Sequence, residues 1–387
     1  MAASIEQFHG RGKEVIGLRD PKHLSKIVHH PVGRIHDVTS DKSQFCEEFL
    51  LHDPMGRARD RVVLNVTGEL RLYQERLHKY LTRKLPFSPH SHGGARGRSI
   101  RTNAANHCDS RFLFKADIAS FYPSITHVHV YRLFTEQLDC SPDVARLCTR
   151  ICTYKHHLAL GIPTSPILAD RLLAPVDRRI SRMCEKHDLV YTRYVDDIFI
   201  SGSYDLKQSG FASIVQQILQ QQGLRSNPLK HHFGELGDDD CAMAGIRIRR
   251  GKIDAKREYI DELYRQLDDA TALSQGGQLQ GLFYTKQQIV GRVNFVCWLN
   301  PTHAGRMRRR LKAINWDRHA HEGHLKGYRV AKRLLIPLPR DIENGVPAGP
   351  VLSAMIDSRA VRPSRHADYG LGEGDDLRNE NSLTPTA

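Results

Sequence analysis

Hydrophobic residues alternate with polar ones in several short runs near the middle of the chain, a pattern that predicts β-strands. One such run covers residues 112–118, and two apolar runs, at 189–191 and 198–200, flank a short polar segment. Two strands joined by so short a segment form a β-hairpin. The pattern therefore predicts one strand and, further along the chain, one hairpin.

Longer stretches place apolar residues three or four positions apart, which is the spacing of one helix face. The stretches with this spacing are residues 70–81, 144–151, 169–183, 259–273, 289–299 and 306–314. Pro175 lies inside the third stretch and is expected to kink or interrupt that helix. Beyond Gly245 the pattern predicts a block of helices.

Three aspartates mark the ends of the predicted strands. Asp117 ends the first strand, and Asp196 with Asp197 occupies the hairpin tip, where Asn-Gly or Asp-Gly is usual. Adjacent carboxylates repel each other, so the pair indicates a divalent cation that offsets the repulsion. One acid on a strand and two at a neighbouring hairpin suit two Mg²⁺ ions that support phosphoryl or nucleotidyl transfer. For any single aspartate, a turn or capping role is the alternative.

Basic residues outnumber acidic ones, 57 to 43, and the formal net charge is +14. This surplus favours a polyanionic partner such as nucleic acid, although a basic surface also serves solubility alone. The sequence contains no apolar run of about 18 residues, and its first residues lack the pattern of a secretory signal. These features predict a cytoplasmic protein without a membrane partner.

Eight cysteines are scattered along the chain without a Cys-x-x-Cys pair, so reduced thiols are expected. Cys148, Cys152, His156 and His157 are close enough in sequence to suggest a zinc site. The two cysteines also fit the apolar face of a predicted helix, and this core interpretation is favoured.

Several short motifs follow one another in an order that resembles the bacterial reverse transcriptases, in particular the retron type and related phage-defence enzymes. The motifs are the segments 92–100, 103–107, 117–125, 161–166, 194–197 and 227–230, preceded by Arg61 and Gln74 in a predicted helix. Their order extends over roughly residues 60 to 315, which is far more than one short motif supplies. The Asn-Ala-x-x-His segment at 103–107 is especially similar to retron enzymes.

The resemblance implies an α+β right-hand polymerase with fingers, palm and a helical thumb. The expected divisions are an N-terminal extension at 1–55, fingers at 56–110, a palm at 111–235, a helical thumb at 236–340 and a flexible C-terminal tail at 341–387. The extension is expected to consist of helical segments and loops around the fingers.

The same resemblance implies roles for the acids. Asp117 and Asp196 would ligate both Mg²⁺ ions, Asp197 would assist them, and the Ile118 carbonyl would complete a metal shell. Lys230 corresponds to a lysine that protonates the pyrophosphate leaving group, although a lone lysine is also an ordinary surface charge. Mn²⁺ is the expected substitute metal.

Other matches concern the incoming nucleotide. Tyr122 corresponds to the steric gate that excludes a ribose 2′-hydroxyl, with a core aromatic as the alternative. Arg98 is the better candidate for the triphosphate and Arg96 the weaker one. Leu160 and Gly161 stand where the family usually has Gln-Gly. The glutamine helps to position the nucleotide and the template base in the family, so its absence argues against ordinary templated synthesis.

Nucleic acid is expected to contact the Asn-Ala-x-x-His segment and the last predicted helix. The residues concerned are Asn103, His107, Arg308, Arg309, Arg310 and Lys312. Where retron enzymes carry Val-Thr-Gly in an RNA-recognising region, the matching stretch here is 242–246, Ala-Met-Ala-Gly-Ile. Recognition of a typical retron RNA is therefore not implied.

Taken as a whole, the resemblance implies an RNA-directed DNA polymerase of bacterial antiviral defence. Its expected partners are deoxynucleoside triphosphates, an RNA template or noncoding RNA, and the DNA product, with an effector protein or a homo-oligomer left open. One alternative is a defence polymerase with little or no template instruction, which Leu160 favours modestly. Another is a non-catalytic RNA-binding scaffold, which the three intact acids disfavour. An intron maturase is less expected, because no maturase or endonuclease extension is recognisable.

Overall fold

The computed structural model describes residues 16–54, 59–238, 241–249 and 251–338. The predicted tail at 341–387 lies outside the described residues. Within the described ranges the α-helices are α1 (Pro21–Val28), α2 (Val32–Ser40), α3 (Gly68–Lys84), α4 (Ile100–Ala105), α5 (Phe121–Ser124), α6 (His127–Arg132), α7 (Pro142–Cys152), α8 (Ser165–Glu185), α9 (Phe211–Gln220), α10 (Arg257–Ser274), α11 (Lys286–Leu299), α12 (Ala304–Ala313) and α13 (Trp316–Leu325). The strands are β1 (Cys46–His52), β2 (Arg61–Val66), β3 (Phe112–Asp117), β4 (Val190–Tyr194), β5 (Asp197–Gly202), β6 (His232–Glu235), β7 (Ala242–Met243), β8 (Ile246–Arg249), β9 (Lys252–Ala255) and β10 (Leu334–Pro337).

A four-stranded antiparallel sheet in the order β4-β5-β3-β6 forms the centre of the region predicted to be the palm. Its two faces contribute to different hydrophobic cores. Ile198 and Ile200 of β5 pack into the core that contains α8, whereas Phe199 packs into the core that contains α10 and α11. The sheet is therefore covered on both sides, which explains why β5 is apolar without alternation. The predicted strand and hairpin are confirmed.

Helix α8 is the longest helix of the described part and lies against β4. It runs without a break through Pro175, so the proline does not interrupt the helix, and the predicted kink stays a prediction. Burial of most of one face, including Leu168, Leu172 and Val176, outweighs the one backbone hydrogen bond that proline removes. None of the helices in the described ranges combines the length and apolar character needed to cross a membrane.

The N-terminal half of the chain contains two strands that the sequence analysis missed. Strands β1 and β2 pair with each other, and β10 from the far end of the described chain joins β1, so that the sheet order is β10-β1-β2. The expectation of only helices and loops before residue 56 is therefore wrong, and Arg61 begins a strand rather than lying in a helix. The helix predicted at 70–81 is confirmed as α3.

A third sheet, β7-β8-β9, precedes the C-terminal helices. Ala244 and Gly245 form the two-residue loop between β7 and β8, and both have positive φ angles, as the tight hairpin requires. This hairpin was not predicted, because the helical pattern was taken to begin directly after Gly245. The helices predicted at 259–273, 289–299 and 306–314 are confirmed as α10, α11 and α12.

Candidate active site

The three predicted acids meet at one end of the two central strands of the four-stranded sheet. Asp117 is the last residue of β3 and lies opposite Asp197, the first residue of β5, in the antiparallel register. Directly opposed residues on neighbouring strands have Cβ atoms about 4.5–5.5 Å apart. Asp196 precedes Asp197 in the two-residue loop that joins β4 to β5. The Ile118 amide donates to the Asp196 carbonyl at 3.1 Å, which fixes the end of β3 to this loop.

Burial and mutual repulsion govern the ionisation of these carboxyl groups. The pKa of Asp196 is raised to about 6, mainly by burial and then by the neighbouring charges of Asp197 and Asp117. Burial also raises the pKa of Asp197. Two lysines offset part of the negative charge: Lys115 lies 3.2 Å from Asp197, and Lys230 forms an ion pair with Asp117.

This donor set fits a cation that is shared with a substrate. In the described part of the chain, no three His, Cys, Asp or Glu side chains are arranged to enclose a metal ion by themselves. Mg²⁺ in phosphoryl-transfer sites is commonly held by one or two carboxylates together with substrate phosphates and water, so a closed protein cage is not required. The two lysines offset only part of the repulsion between the carboxylates, and a bound cation would offset the remainder.

Tyr122 lies on the short helix α5, which follows β3 after a turn. The ring packs partly into the main core and contacts Phe121 with ring centroids 5.0 Å apart. Its pKa is raised to about 12, mainly by burial and then by the charge of Asp196. Tyr122 is therefore partly packed in the core and within electrostatic range of Asp196.

The two arginines proposed for the triphosphate differ in their surroundings. The Arg98 guanidinium donates to the Ser88 carbonyl at 2.7 Å and to the Ser91 carbonyl at 2.6 Å. It therefore holds a loop together, and the preference for Arg98 as the phosphate ligand is not supported by its contacts. The Arg96 side chain is exposed.

Leu160 and Gly161 lie against strand β2. The Leu64 amide donates to the Leu160 carbonyl at 2.8 Å. Gly161 has a φ of +106°, and a Cβ at this position would collide with the Leu64 carbonyl. Glycine is required here by both backbone conformation and space, whereas the half-buried Leu160 side chain offers no hydrogen-bonding group.

Asn103 and His107 lie inside the protein, contrary to their predicted contact with nucleic acid. Both side chains are fully buried. The two ring nitrogens of His107 bond to Ser201 Oγ at 2.6 Å and to Thr192 Oγ1 at 2.7 Å, and burial lowers the pKa of His107 to about 3. His107 is thus a neutral link between α4, β4 and β5. The amide atoms of Asn103 are buried and have no hydrogen-bond partner among the described residues.

The basic cluster on α12 divides into two groups. Arg308, Arg309 and Lys312 are exposed. Arg310 forms an ion pair with Asp268 at 2.6 Å, and its guanidinium lies 5.0 Å from the ring centroid of Tyr264. Arg310 therefore holds α12 against α10, whereas the other three cations of this cluster are exposed to a polyanion.

The sequence analysis missed two cations near the acids. Lys115 alternates in β3 with apolar residues, so its position on the strand could have placed it beside Asp197. Arg193 is fully buried in β4 and is held by Asp170 and Asp177 of α8. A charged residue in an otherwise apolar strand, with two acids seven residues apart on a buried helix face, was the available signal.

The alternative zinc site is not formed. Cys148 and Cys152 are fully buried on α7, whereas His156 is exposed. The eight cysteines are free thiols, as expected. The helix-core interpretation of the two cysteines is confirmed.

Comparison with known proteins shows which family the chain resembles over most of its described length. The family model described as reverse transcriptase (RNA-dependent DNA polymerase) matches residues 54–260, which is more than half of the chain. The chain is 27% identical over 294 residues to the retron Mx65 reverse transcriptase of Myxococcus xanthus, covering 68% of this chain and 67% of that protein. It is 31% identical over 205 residues to the retron Ec86 reverse transcriptase of Escherichia coli, covering 53% of this chain and 63% of that protein.

A third relative is the retron Se72 reverse transcriptase of Salmonella heidelberg, 27% identical over 198 residues, with 50% of this chain and 52% of the relative covered. The matched regions thus span about half to two thirds of the length of these relatives. The order of the motifs, the paired acids and these matches all indicate a reverse transcriptase. The chain therefore belongs to the reverse transcriptase family, the RNA-dependent DNA polymerases, and within it to the bacterial retron type.

Proposed function

We propose that this protein adds deoxynucleotides to a 3′ end under the direction of an RNA template, with two divalent metal ions at the acid cluster. The observation that supports this most strongly is the pairing of Asp117 with Asp197 beside Asp196 at one end of the two central strands of the sheet. The sheet is covered on both faces, so the acids stand on a rigid base. A non-catalytic scaffold would have no reason to keep three carboxylates in mutual repulsion.

The proposed ligands are Asp117, Asp196, Asp197 and the Ile118 carbonyl. Bound Mg²⁺, or Mn²⁺ in its place, would supply activation of the 3′-hydroxyl and neutralisation of the triphosphate charge. Lys115 offsets the charge of Asp197. Lys230 is half exposed and is paired with Asp117, so its ammonium group is near enough to the acids to donate a proton to departing pyrophosphate.

The remaining substrate contacts follow from exposure and position. Tyr122, beside Asp196, is proposed to exclude ribonucleotides, and the exposed Arg96 to contact phosphate. The exposed cations of α12 are proposed to contact the template and product strands, in a region that would act as the thumb. The net charge of +14 favours these polyanionic partners.

Primer extension with Asp196→Asn tests the proposal. The substitution keeps the size of the side chain and removes a metal-binding charge, so nucleotide addition should fall by at least about 100-fold while RNA binding stays near normal. Asp188→Asn is the matched control, because Asp188 is exposed with a φ of 52°, a conformation that asparagine also tolerates. Retention of more than a few per cent of activity by Asp196→Asn would contradict the two-metal assignment.

We also propose a setting in bacterial antiviral defence, on the resemblance to retron and phage-defence enzymes alone. Phage plaque counts on bacteria that express wild type or Asp196→Asn measure this directly. We expect fewer plaques with wild type than with Asp196→Asn. Equal plaque counts for the two proteins, with every phage that wild type restricts, would argue against a defence role for DNA synthesis.

A second candidate function, DNA synthesis with little template instruction, is favoured by Leu160. Its aliphatic side chain cannot replace the hydrogen bonds of the usual amide. If template control is relaxed, wild type should produce DNA that does not match a supplied RNA, and Leu160→Gln should shift the products towards faithful copies. Leu160→Met is the control without an amide. We expect templated synthesis, because the backbone of Leu160 and Gly161 is fixed against β2; accurate copying by wild type would reject the second candidate.

A further inference from the structure

Arg193 is a fully buried cation directly beneath the hairpin that carries Asp196. It lies on β4, three residues before that acid, and its side chain is 2% exposed. Its charge is matched by Asp170 and Asp177, which are 3% and 0% exposed and lie seven residues apart on α8. A buried cation of this kind persists only where its hydrogen bonds are satisfied.

The guanidinium is held in one orientation by the two aspartates. Arg193 Nε donates to Asp177 Oδ1 and Nη2 donates to Asp177 Oδ2, both at 2.8 Å, in a bidentate arrangement. Nη2 also donates to Asp170 Oδ1 at 2.8 Å. The Tyr191 hydroxyl also donates to Asp177, and the Ser88 amide donates to Asp170. Such a planar fork has little freedom to rotate.

The remaining nitrogen of Arg193 reaches the catalytic hairpin. Nη1 donates to the Val195 carbonyl at 2.8 Å. Val195 is a β-branched residue with a φ of +58°, a conformation that is strained for such a side chain. The Val195 carbonyl is part of the peptide group that joins Val195 to Asp196. The hydrogen bond therefore fixes the orientation of this peptide group, and with it the direction in which the Asp196 side chain leaves the backbone.

A loop confines Val195 from another direction. The His92 amide donates to the Arg193 carbonyl and the Arg193 amide donates to the His90 carbonyl, both at 2.8 Å, so the loop pairs with β4 in a single parallel bridge between Ser91 and Arg193. The loop then presents Gly93 to the hairpin. A Cβ at Gly93 would lie 2.7 Å from the Val195 nitrogen, which is closer than real contacts allow.

We infer that Arg193 is a positioning residue for the acid cluster: through the Val195 peptide it transmits the fixed geometry of α8 to the Asp196 carboxylate, while Gly93 packs closely against the Val195 backbone. A cluster that only stabilised the core would be complete with the two aspartates. Its third attachment is made to the strained residue next to a proposed metal ligand. This inference rests on the proposed function and names what holds that site in place.

The substitution Arg193→Lys tests the inference. Lysine keeps the buried positive charge for Asp170 and Asp177, but a single ammonium group cannot reproduce the bidentate contact and also reach the Val195 carbonyl. We expect kcat for nucleotide addition to fall about 10- to 100-fold, since small misplacements of reacting groups have effects of this size. The KM for nucleotide and the Kd for primer-template should change by less than about twofold.

The second measurement is independent of catalysis. Mn²⁺ binding to the nucleotide-free protein, followed by electron paramagnetic resonance, should weaken several-fold in Arg193→Lys. Glu48→Gln is the control, because it removes a partly buried ion pair with Lys155, 2.7 Å long, outside the acid cluster. It should change thermal stability without changing kcat or Mn²⁺ affinity. Rates are compared per folded molecule, well below each unfolding temperature.

Gly93→Ala provides a second variant if Arg193→Lys fails to fold. It leaves the side chains of the ion cluster unchanged and forces Val195 to move, because the added Cβ would collide with it, so the same fall in kcat and Mn²⁺ affinity is expected. Active wild type with both quantities unchanged in the folded variants would overturn the inference. An inactive wild type that binds Mn²⁺, with weaker binding in the variants, would instead overturn the proposed function and support the positioning role.

Discussion

At the scale of single residues, burial decides which side chains can act on a ligand. His107 belongs to a motif typical of retron enzymes, and its burial with both nitrogens bonded makes it a structural link. Arg98 is likewise committed to loop carbonyls. The motifs contain these residues but do not specify their hydrogen-bond partners, which for His107 lie 94 and 85 residues away in sequence.

Tyr122 permits a direct test of sugar selection. Replacing the ring with Val should raise ribonucleotide incorporation relative to deoxynucleotide incorporation by about tenfold or more, because space for the 2′-hydroxyl is created. Competition between the two nucleotide types in one primer-extension reaction measures the ratio. Phe121→Leu is the control, since Phe121 is a neighbouring buried aromatic with ring contact to Tyr122. An unchanged ratio in Tyr122→Val would leave the ring with a packing role alone.

At the scale of elements, local pattern predicted the long helices better than the short strands. Helices α3, α10 and α11 have many turns in which the apolar spacing repeats, so their existence follows from the sequence. Strand β1 pairs with β10, almost 300 residues away in sequence, and no local pattern reports such pairing. Helix α8 continues through a proline because its buried face is stabilised by packing that only the folded chain supplies.

Helix α12 offers a test at the same scale. Neutralising Arg308, Arg309 and Lys312 to Gln should weaken nucleic-acid binding and make its salt dependence shallower, by about 0.7–0.9 units of log-log slope for each phosphate that the helix no longer neutralises. Binding measured at several salt concentrations gives the slope. Arg310→Gln is the matched control: it should lower thermal stability slightly, because its partners are Asp268 and Tyr264, and leave the slope unchanged. An unaltered slope in the triple variant would show that this helix face does not touch nucleic acid.

At the scale of the whole molecule, the acid cluster is assembled by the sheet rather than by any one segment. Asp117 and Asp197 are 80 positions apart in sequence, and their neighbourhood follows from the β3 and β5 register. The pattern of one strand and a neighbouring hairpin predicted this juxtaposition, and the family resemblance implied it as well. The sequence signal for Arg193 and its aspartates is a charge in an apolar strand with two acids on one helix face, and this signal alone does not distinguish a buried ion cluster from surface charge.

The acid cluster makes the free energy of unfolding depend on pH. Burial and like charges raise the pKa of Asp196 from 3.8 to about 6 in the folded protein. Between these values the folded protein binds a proton that the unfolded chain has released, so stability falls as pH rises, and above about pH 6 the penalty is constant. Asp196→Asn removes the penalty and should stabilise the metal-free protein above pH 6 by at most about 3 kcal/mol.

Urea unfolding of wild type and Asp196→Asn in EDTA, at pH 4 and pH 7.5, measures the difference, and effects of the other titrating groups largely cancel between the two proteins. The gain should be present at pH 7.5 and absent at pH 4. Adding Mg²⁺ at pH 7.5 should then stabilise wild type more than Asp196→Asn, because a ligand stabilises the state that binds it. An equal gain at both pH values would mean that the charge of Asp196 does not destabilise the folded protein. The main electrostatic argument for a cation bound at the acid cluster would then fail.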